Sequence, residues 1–464
     1  MPQRLERLLN PKSVALIGAS ANPAKLSYIV LANLKMGAFK LYPVNPKEKT
    51  ILGLRCFPSV LDIPDEVDMA VVSLPAESAI EPVRQCVKKG VKVVIVTASG
   101  FGESGSEGRE LQNSLVNAIS GSKTRLLGPN TMGVLVPRHG LDTLFIQRER
   151  SARPGPGRTA MMSQSGAVSV SFLERARAAG VGVSACIGLG NKADITENDL
   201  LELMARDDET RSIAMYLESF ANGREFIRLA SKVTPGKPIV LLKSGRTRSG
   251  MAAASSHTGA LATSSEQLVQ GALTQAGVAR VYDEEELIDV TKAMAFVGQL
   301  RGDRICIVAS AGGYGVIASD LVESTDHGAS LQMARLSENT KDALRRFVPG
   351  YSSVENPVDL TAAVTDDMYD SVLGILQDDP NVDGIVMSLE LQPPNVTSRL
   401  VEIGRSRSLS GKTPIVTSVF AGDETDEVVR SLGEQNVLAY PTIWRAIRAL
   451  AALARRGTYL RRRK

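Results

Sequence analysis

The sequence predicts an α/β protein of parallel sheets covered by helices, arranged as three consecutive units. Short apolar runs recur along all 464 residues: "SVALIG", "MAVVSL", "VKVVIVTA", "TAMMS", "SIAMYLES", "KPIVLLK", "RICIVAS", "DGIVMSLEL" and "TPIVTSVF". Amphipathic stretches of helical length separate them, and continuous apolar strands between helices indicate sheets buried on both faces. Two stretches rich in Gly, Pro and charge, "RERSARPGPGR" (148–158) and "GQLRGD" (298–303), interrupt the pattern and divide the chain near 1–150, 151–297 and 298–464.

Composition removes several classes of function. Apolar residues make up 43% and charged residues 22%, as in ordinary soluble domains. A net charge of +4 and 4% aromatic content argue against a nucleic-acid partner, which would need a basic surface or stacking platforms. No signal-peptide core opens the chain and no apolar run reaches the roughly 18 residues that span a bilayer. A cytoplasmic protein without a membrane partner is expected. Cys56, Cys86, Cys186 and Cys306 lie far apart with no CxxC spacing, which suits buried thiols in a reducing compartment; no metal site is expected. The closing run Arg461 to Lys464 reads as a solvated helix end.

In the first unit, the first apolar strand runs into "GASANPAKL" (18–26), which places Gly18, Ala19, Ser20 and Lys25 in a small-residue turn before a helix. Such a turn presents backbone N–H groups and a helix dipole to a phosphate. It lacks the full GxGxxG spacing of dinucleotide sites. The next strand ends in Asn45, Pro46 and Lys47, where an NAD site would carry an acid for the ribose hydroxyls; a lysine there favours a phosphate instead. Later strand ends contribute Pro75 of "SLP", Ser99 and Gly100 of "TASGFGE", and Asn130 of "GPNTMG". Parallel strands bring all these loops to one edge, where open α/β sheets bind ligands. The expected ligand is an anionic cofactor other than NAD.

The second and third units read as copies of each other. "MMSQSGAVSVSFLERARAAG" (161–180) parallels "IVASAGGYGVIASDLVESTDHG" (307–328), and "NKADIT" from Asn191 parallels "NPVDLT" from Asn356. "MYLES" answers "MSLEL", and "GKPIVLLKSG" answers "GKTPIVTSVF". Only the second unit continues into "SSHTGALA" (255–262), which holds His257 among small residues with no apolar face for its ring. "SQSG", Ser163, Gln164, Ser165 and Gly166, places hydroxyls at a helix start, where a phosphate site and an N-cap can coexist.

At this point the residues resemble a known family. "VALIGAS", "YPVNPK", "SVLDIPDEVDMAVVSLPA", "SGFGE" and "GPNTMG" resemble the coenzyme A-binding domain of nucleoside-diphosphate-forming acyl-CoA synthetases. "SQSGA", "GNKADI", "YLES" and "SSHTGALA" resemble their second domain, and "SAGGYG" with "NPVDLT" their third. The likeness is collinear over essentially the whole chain and extends to the succinyl-CoA synthetase superfamily. It implies a Rossmann-like CoA-binding domain followed by two flavodoxin-like, succinyl-CoA synthetase-like domains. It implies acid–thiol ligase activity of the ADP-forming acetate–CoA ligase α-subunit type, with an acyl phosphate and a phosphohistidine as intermediates. His257 matches the family's phosphoryl carrier and Glu218 the acid that orients it. An unprotonated imidazole nitrogen near neutral pH suits that nucleophile, and the small residues from Gly245 to Thr258 suit a loop that carries it between sites.

Nothing in the chain resembles an ATP-grasp domain. The resemblance therefore implies a separate ATP-grasp β subunit holding ADP or ATP with Mg²⁺, in an α2β2 assembly. Substrates are then phosphate, acyl-CoA and a small carboxylic acid, with acetyl, propionyl, branched and aryl groups all represented among relatives. Thr131 and Met132 stand where the family commonly has Cys-Leu, near the expected thiol end of coenzyme A, and Tyr314 stands where it has Pro. Two other classes remain at this point: a non-catalytic CoA or acyl-CoA sensor and a nicotinamide-dependent oxidoreductase.

Overall fold

A computed structural model describes residues 5–252, 265–325 and 331–463. The first sheet is five-stranded and wholly parallel, in the order β2-β1-β3-β4-β5. Its strands are β1 (Ser13–Ile17), β2 (Lys40–Val44), β3 (Met69–Val72), β4 (Val93–Val96) and β5 (Arg125–Leu127). Helices α1 (Leu26–Leu34), α2 (Ala76–Lys89) and α3 (Ser106–Ile119) make three of the crossovers. Alternate strand residues enter two cores, as the two-residue strand period requires. Val14, Leu16, Val71 and Ile95 join one, and Ala15, Ile17, Val72 and Val96 join the other.

The second sheet has seven strands, β12-β11-β10-β8-β9-β6-β7. Five are parallel: β8 (Pro156–Ser163), β9 (Val183–Gly188), β10 (Ser212–Leu217), β11 (Ile239–Lys243) and β12 (Ala279–Val281). The remaining two, β6 (Val134–Val136) and β7 (Leu141–Asp142), are antiparallel additions from the span expected to belong to the first unit. Buried Val134 and Leu135 pair with Ile187 and Cys186, which carries the chain out of the first sheet before residue 150. The third sheet is parallel, β14-β13-β16-β17-β18 with β15 beside β13. It comprises β13 (Arg304–Ala309), β14 (Gln332–Met333), β15 (Val358–Asp359), β16 (Gly384–Glu390), β17 (Ile415–Phe420) and β18 (Ala439–Tyr440).

Contacts group the chain into two compact units rather than along the three composition-based spans. One is Met1–Glu174 with Gly182–Glu284, and the other is Arg175–Val181 with Glu285–Lys464. The first two sheets share an apolar core in which Val71 and Ile95 join Met162 and Ile187. The helix Glu284–Phe296 belongs almost wholly to the second unit, where Leu287, Ile288 and Val290 are buried. All four cysteines are free and buried. Among the described residues no helix is long and apolar enough to cross a membrane. Arg461 to Arg463 are exposed at the end of the last helix.

Candidate functional site

The expected cofactor residues lie at the carboxyl edge of the first sheet. Gly18 follows β1 with φ +86°, and a Cβ there would fall 2.6 Å from the Ser73 carbonyl oxygen after β3. Glycine is therefore required for the two turns to touch. The side-chain amide of Asn45 donates to the Ala19 carbonyl (2.7 Å) and its Oδ1 accepts from the Lys47 amide (2.8 Å). One asparagine thus ties the turn after β1 to the turn after β2 and leaves Pro46 and Lys47 exposed. Lys25 and Pro75 are the N-cap residues of α1 and α2, and neither supplies a side-chain cap. Ser20 and Gly100 are half-buried and Ser99 is exposed, while the Asn130 amide donates to Ala98 (2.8 Å) and links the last two loops. Lys25 at the start of α1 and Lys47 in the loop after β2, with no acid at the end of that strand, are a donor set suited to a diphosphate. Coenzyme A fits that set.

At the second sheet, Ser163 ends β8 and Gly166 opens the helix α4 (Gly166–Ala178). The Ser165 amide donates to Ser163 Oγ (3.1 Å), Ser163 Oγ donates to the Ser165 carbonyl (2.7 Å), and Val168 N–H reaches Ser165 Oγ (3.4 Å). The two serines therefore shape the helix start. Gln164 points its oxygen elsewhere: Oε1 accepts from the amides of Glu218 (3.0 Å) and Ser219 (3.3 Å). Glu218, just past β10, is 8% exposed, and the Tyr216 hydroxyl donates to its Oε1 at 3.4 Å. Lys243, the last residue of β11, donates to the Glu218 carbonyl (2.8 Å). Burial and the neighbouring Arg280 pull the Lys243 ammonium down to about 8. Lys192 donates to the Ser219 carbonyl (2.7 Å) and pairs with Glu197 at 3.0 Å; burial lowers its pKa against the pull of Glu197 and Glu218.

The two edges meet. A Cβ on Gly166 would lie 2.5 Å from Cγ and 2.9 Å from the sulfur of Met132, so the loop after β5 rests on the first residue of α4. Buried Thr131 donates to the Gly188 carbonyl (2.7 Å), and Asn130 donates to Asn191 (3.3 Å), which in turn donates to Gln112 and to Glu103. Thr131-Met132 thus forms the seam between the candidate cofactor edge and the candidate phosphate helix.

Sequence reasoning placed Glu218, Ser163, Gln164, Ser165 and Gly166 on neighbouring strand ends, and the structure brings these five together. It missed Lys192, Glu197 and Lys243, whose contacts are with backbone far away in sequence, and Tyr216, whose hydroxyl reaches the Glu218 side chain two residues on. The available signal was their replacement in the third unit. The candidate carrier His257, and all of "SSHTGALA", lie outside the described residues; the stretch leading to it begins with Gly245 at φ +72° and is helical over 248–252. Among the described residues no group of His, Cys, Asp and Glu could hold a metal.

Comparison with known proteins is consistent across the chain. Residues 12–137 match a CoA binding domain, 156–294 the succinyl-CoA ligase like flavodoxin domain, and 305–461 the ligase-CoA domain. The chain is 37% identical over 462 residues to acetate–CoA ligase [ADP-forming] I subunit alpha of Pyrococcus furiosus, covering 97% of each. It is 36% identical over 451 residues to acetate–CoA ligase [ADP-forming] I of Archaeoglobus fulgidus, but spans 63% of that longer relative. The dinucleotide forming acetyl-coenzyme A synthetase 1 of Ca. Korarchaeum cryptofilum, solved with phosphate and ADP, superposes with a TM-score of 0.90 at 34% identity. The match covers 99% of this chain and 98% of that one.

Proposed function

Because the chain belongs to the family of ADP-forming acetate–CoA ligase α subunits, we propose that it is the α chain of an ADP-forming acyl-CoA synthetase. The net reaction is acyl-CoA + phosphate + ADP = carboxylic acid + CoA + ATP. The edge formed by Gly18, Asn45, Lys47 and Asn130 holds the CoA portion of the thioester. A phosphate oxygen attacks the thioester carbonyl, the C–S bond breaks, and the CoA sulfur leaves as thiolate and takes up a proton, giving an acyl phosphate. The His257 ring nitrogen then attacks phosphorus, the bond from phosphorus to the acyl oxygen breaks, and the carboxylate leaves.

Ser165 and the start of α4 would hold the phosphoryl oxygens, and Glu218 would accept a hydrogen bond from the protonated second nitrogen of His257, orienting the ring and raising the nucleophilicity of the first nitrogen. An ATP-grasp β subunit, in an α2β2 assembly, would bring ADP and Mg²⁺ to the phosphohistidine. The ADP oxygen attacks phosphorus and the P–N bond breaks. A cytoplasmic location fits this soluble chemistry.

The observation that carries the reading is the contact of Met132 with Gly166. It sets the end of the CoA edge against the phosphate helix, so thioester and phosphate can react in one place. The test is incubation of the full chain, with its partner subunit, with labelled inorganic phosphate and acetyl-, propionyl-, isobutyryl- or benzoyl-CoA. Acid-labile label on His257 is expected with at least one thioester. CoA binding with no label from any of them would identify a sensor and overturn the assignment.

A further inference from the structure

The dipeptide Glu218-Ser219 lies beyond the end of β10, yet side chains take all four of its backbone hydrogen-bonding groups. Gln164 Oε1 accepts from both amides, Lys243 Nζ donates to the Glu218 carbonyl, and Lys192 Nζ donates to the Ser219 carbonyl. Glu197 extends the hold by accepting from the Ala221 amide (2.6 Å) while paired with Lys192. The Lys192 and Glu197 side chains are 6% and 0% exposed, and Lys192 sits at φ +57°, where a residue with a side chain is strained. Two desolvated charges and a left-handed lysine are a costly way to hold a loop if fold stability is the only benefit.

The third sheet supplies an internal control. Leu217 pairs with Lys243, and its counterpart Leu389 pairs with Val419; Met162 pairs with Met215, as Val308 does with Met387. That register aligns Gln164 with Ser310, Glu218 with Glu390 and Lys243 with Val419, and the matching motifs from Asn191 and Asn356 align Lys192 with Pro357 and Glu197 with Ala362. The acid is present in both copies. The four residues that hold its peptide occur only in the copy whose sequence continues into His257.

We propose that Gln164, Lys243 and the Lys192–Glu197 pair are positioning residues that fix the Glu218 carboxylate for phosphoryl transfer at His257. This rests on the proposed ligase reading and adds to it a set of groups that act through Glu218 without touching substrate. A carboxylate displaced by about 1 Å can cost on the order of 100-fold in rate.

The experiment is single-turnover labelling of His257, in the full chain with its partner, using labelled phosphate and the thioester that labels fastest. Lys243→Met removes a group whose hydrogen bonds are to carbonyls, and Gln164→Ala reads the same property if that variant fails to fold. Each is expected to lower the labelling rate about 10- to 100-fold while half-saturating phosphate and CoA affinity stay at wild-type values. Combined with Glu218→Gln, neither should add a further loss, because both act through one carboxylate. Wild-type labelling rates in the single variants, or losses that multiply with that of Glu218→Gln, overturn the inference and leave the ligase reading standing. Absence of label in the wild type overturns the ligase reading itself.

Discussion

The second and third sheets carry the same acid at the same strand end and surround it with different chemistry. Around Glu218, two lysines and a glutamine grip the peptide. Around Glu390, two hydroxyls grip the carboxylate: Ser388 Oγ donates to Oε1 at 2.7 Å and Ser310 Oγ donates to Oε2. Tyr369, wholly buried, donates to the Ser388 carbonyl (2.9 Å) and closes that cluster. Glu390 is held through its carboxylate, whereas Glu218 is held through its peptide and, at 3.4 Å, by the Tyr216 hydroxyl. Duplication preserved the sheet and the acid, and the polar residues around the acid diverged.

The strongest test of that contrast removes the group that only one copy has. His257→Ala is expected to abolish phosphoryl labelling and net ATP formation while leaving CoA binding to the first sheet intact. Calorimetry with CoA alongside labelling with phosphate checks both halves. Label retained on the variant would mean that the carrier lies elsewhere and that the two copies do not differ for the reason given.

The paired substitution of the two acids comes next. Glu218→Gln should slow labelling about 100-fold, within the range of a positioned acid–base group, because the ring loses its orienting acceptor while its nucleophile remains. Glu390→Gln should leave the labelling rate unchanged and instead lower stability by about 1–3 kcal/mol, the scale of hydrogen bonds to a buried charged group. Stopped labelling reactions and urea melts on the same two proteins separate these outcomes. A rate defect in Glu390→Gln comparable with that of Glu218→Gln would erase the distinction between the copies.

Much of this arrangement was legible in the sequence because its signals are local. β-branched runs and small-residue turns identified nine of the strands, the edge loops of the first sheet, and Ser163 to Gly166, but not the interior strand β9. The duplication was legible too, since Asn191 and Asn356 open matching motifs. The lysines were not. Lys192 grips a carbonyl 27 residues away and Lys243 one 25 residues away, and neither spacing follows a helix or strand period. The transfer of β6 to the second sheet was equally hidden, because Val134 and Leu135 read as apolar whichever sheet receives them. Local pattern specifies elements; which edge an element joins depends on contacts distant in the chain.

The second compact unit has its own buried lysine, and its pH behaviour distinguishes a structural cation from a positioning one. Lys292 is 1% exposed and donates to the carbonyls of Ala179 and Ala439 (2.9 Å each), with Asp289 and Arg445 nearby. Burial pulls its pKa down to about 7. Between pH 7 and the ordinary lysine range near 10.4, the unfolded chain binds more protons at this residue than the folded one, so its contribution to stability rises with pH. The unfolding free energy of wild type relative to Lys292→Met should therefore increase from pH 7 to 9, by at most about 1.4 kcal/mol per pH unit. Equilibrium melts at three pH values check this, with no change expected in labelling at pH 7. A difference that is flat or falls with pH would show that Lys292 is not depressed in the folded state.

The smallest expected effect lies at Tyr216, whose counterpart in the third sheet is Ser388. Its hydroxyl donates to Glu218 Oε1 at 3.4 Å, long for an O–H donor whose usual distance is about 2.7–2.8 Å. A bond that long contributes little to holding the carboxylate, whereas the shorter bonds to the peptide from Lys192 and Lys243 hold its backbone directly. Tyr216→Phe should accordingly lower the labelling rate by no more than about threefold, corresponding to under ~1 kcal/mol. The same quench assay used for Lys243→Met measures it. A loss approaching that of Glu218→Gln would move the control of the carboxylate from its peptide to its side chain, and the contrast between the copies would then rest on Tyr216 and Ser388 rather than on the lysines.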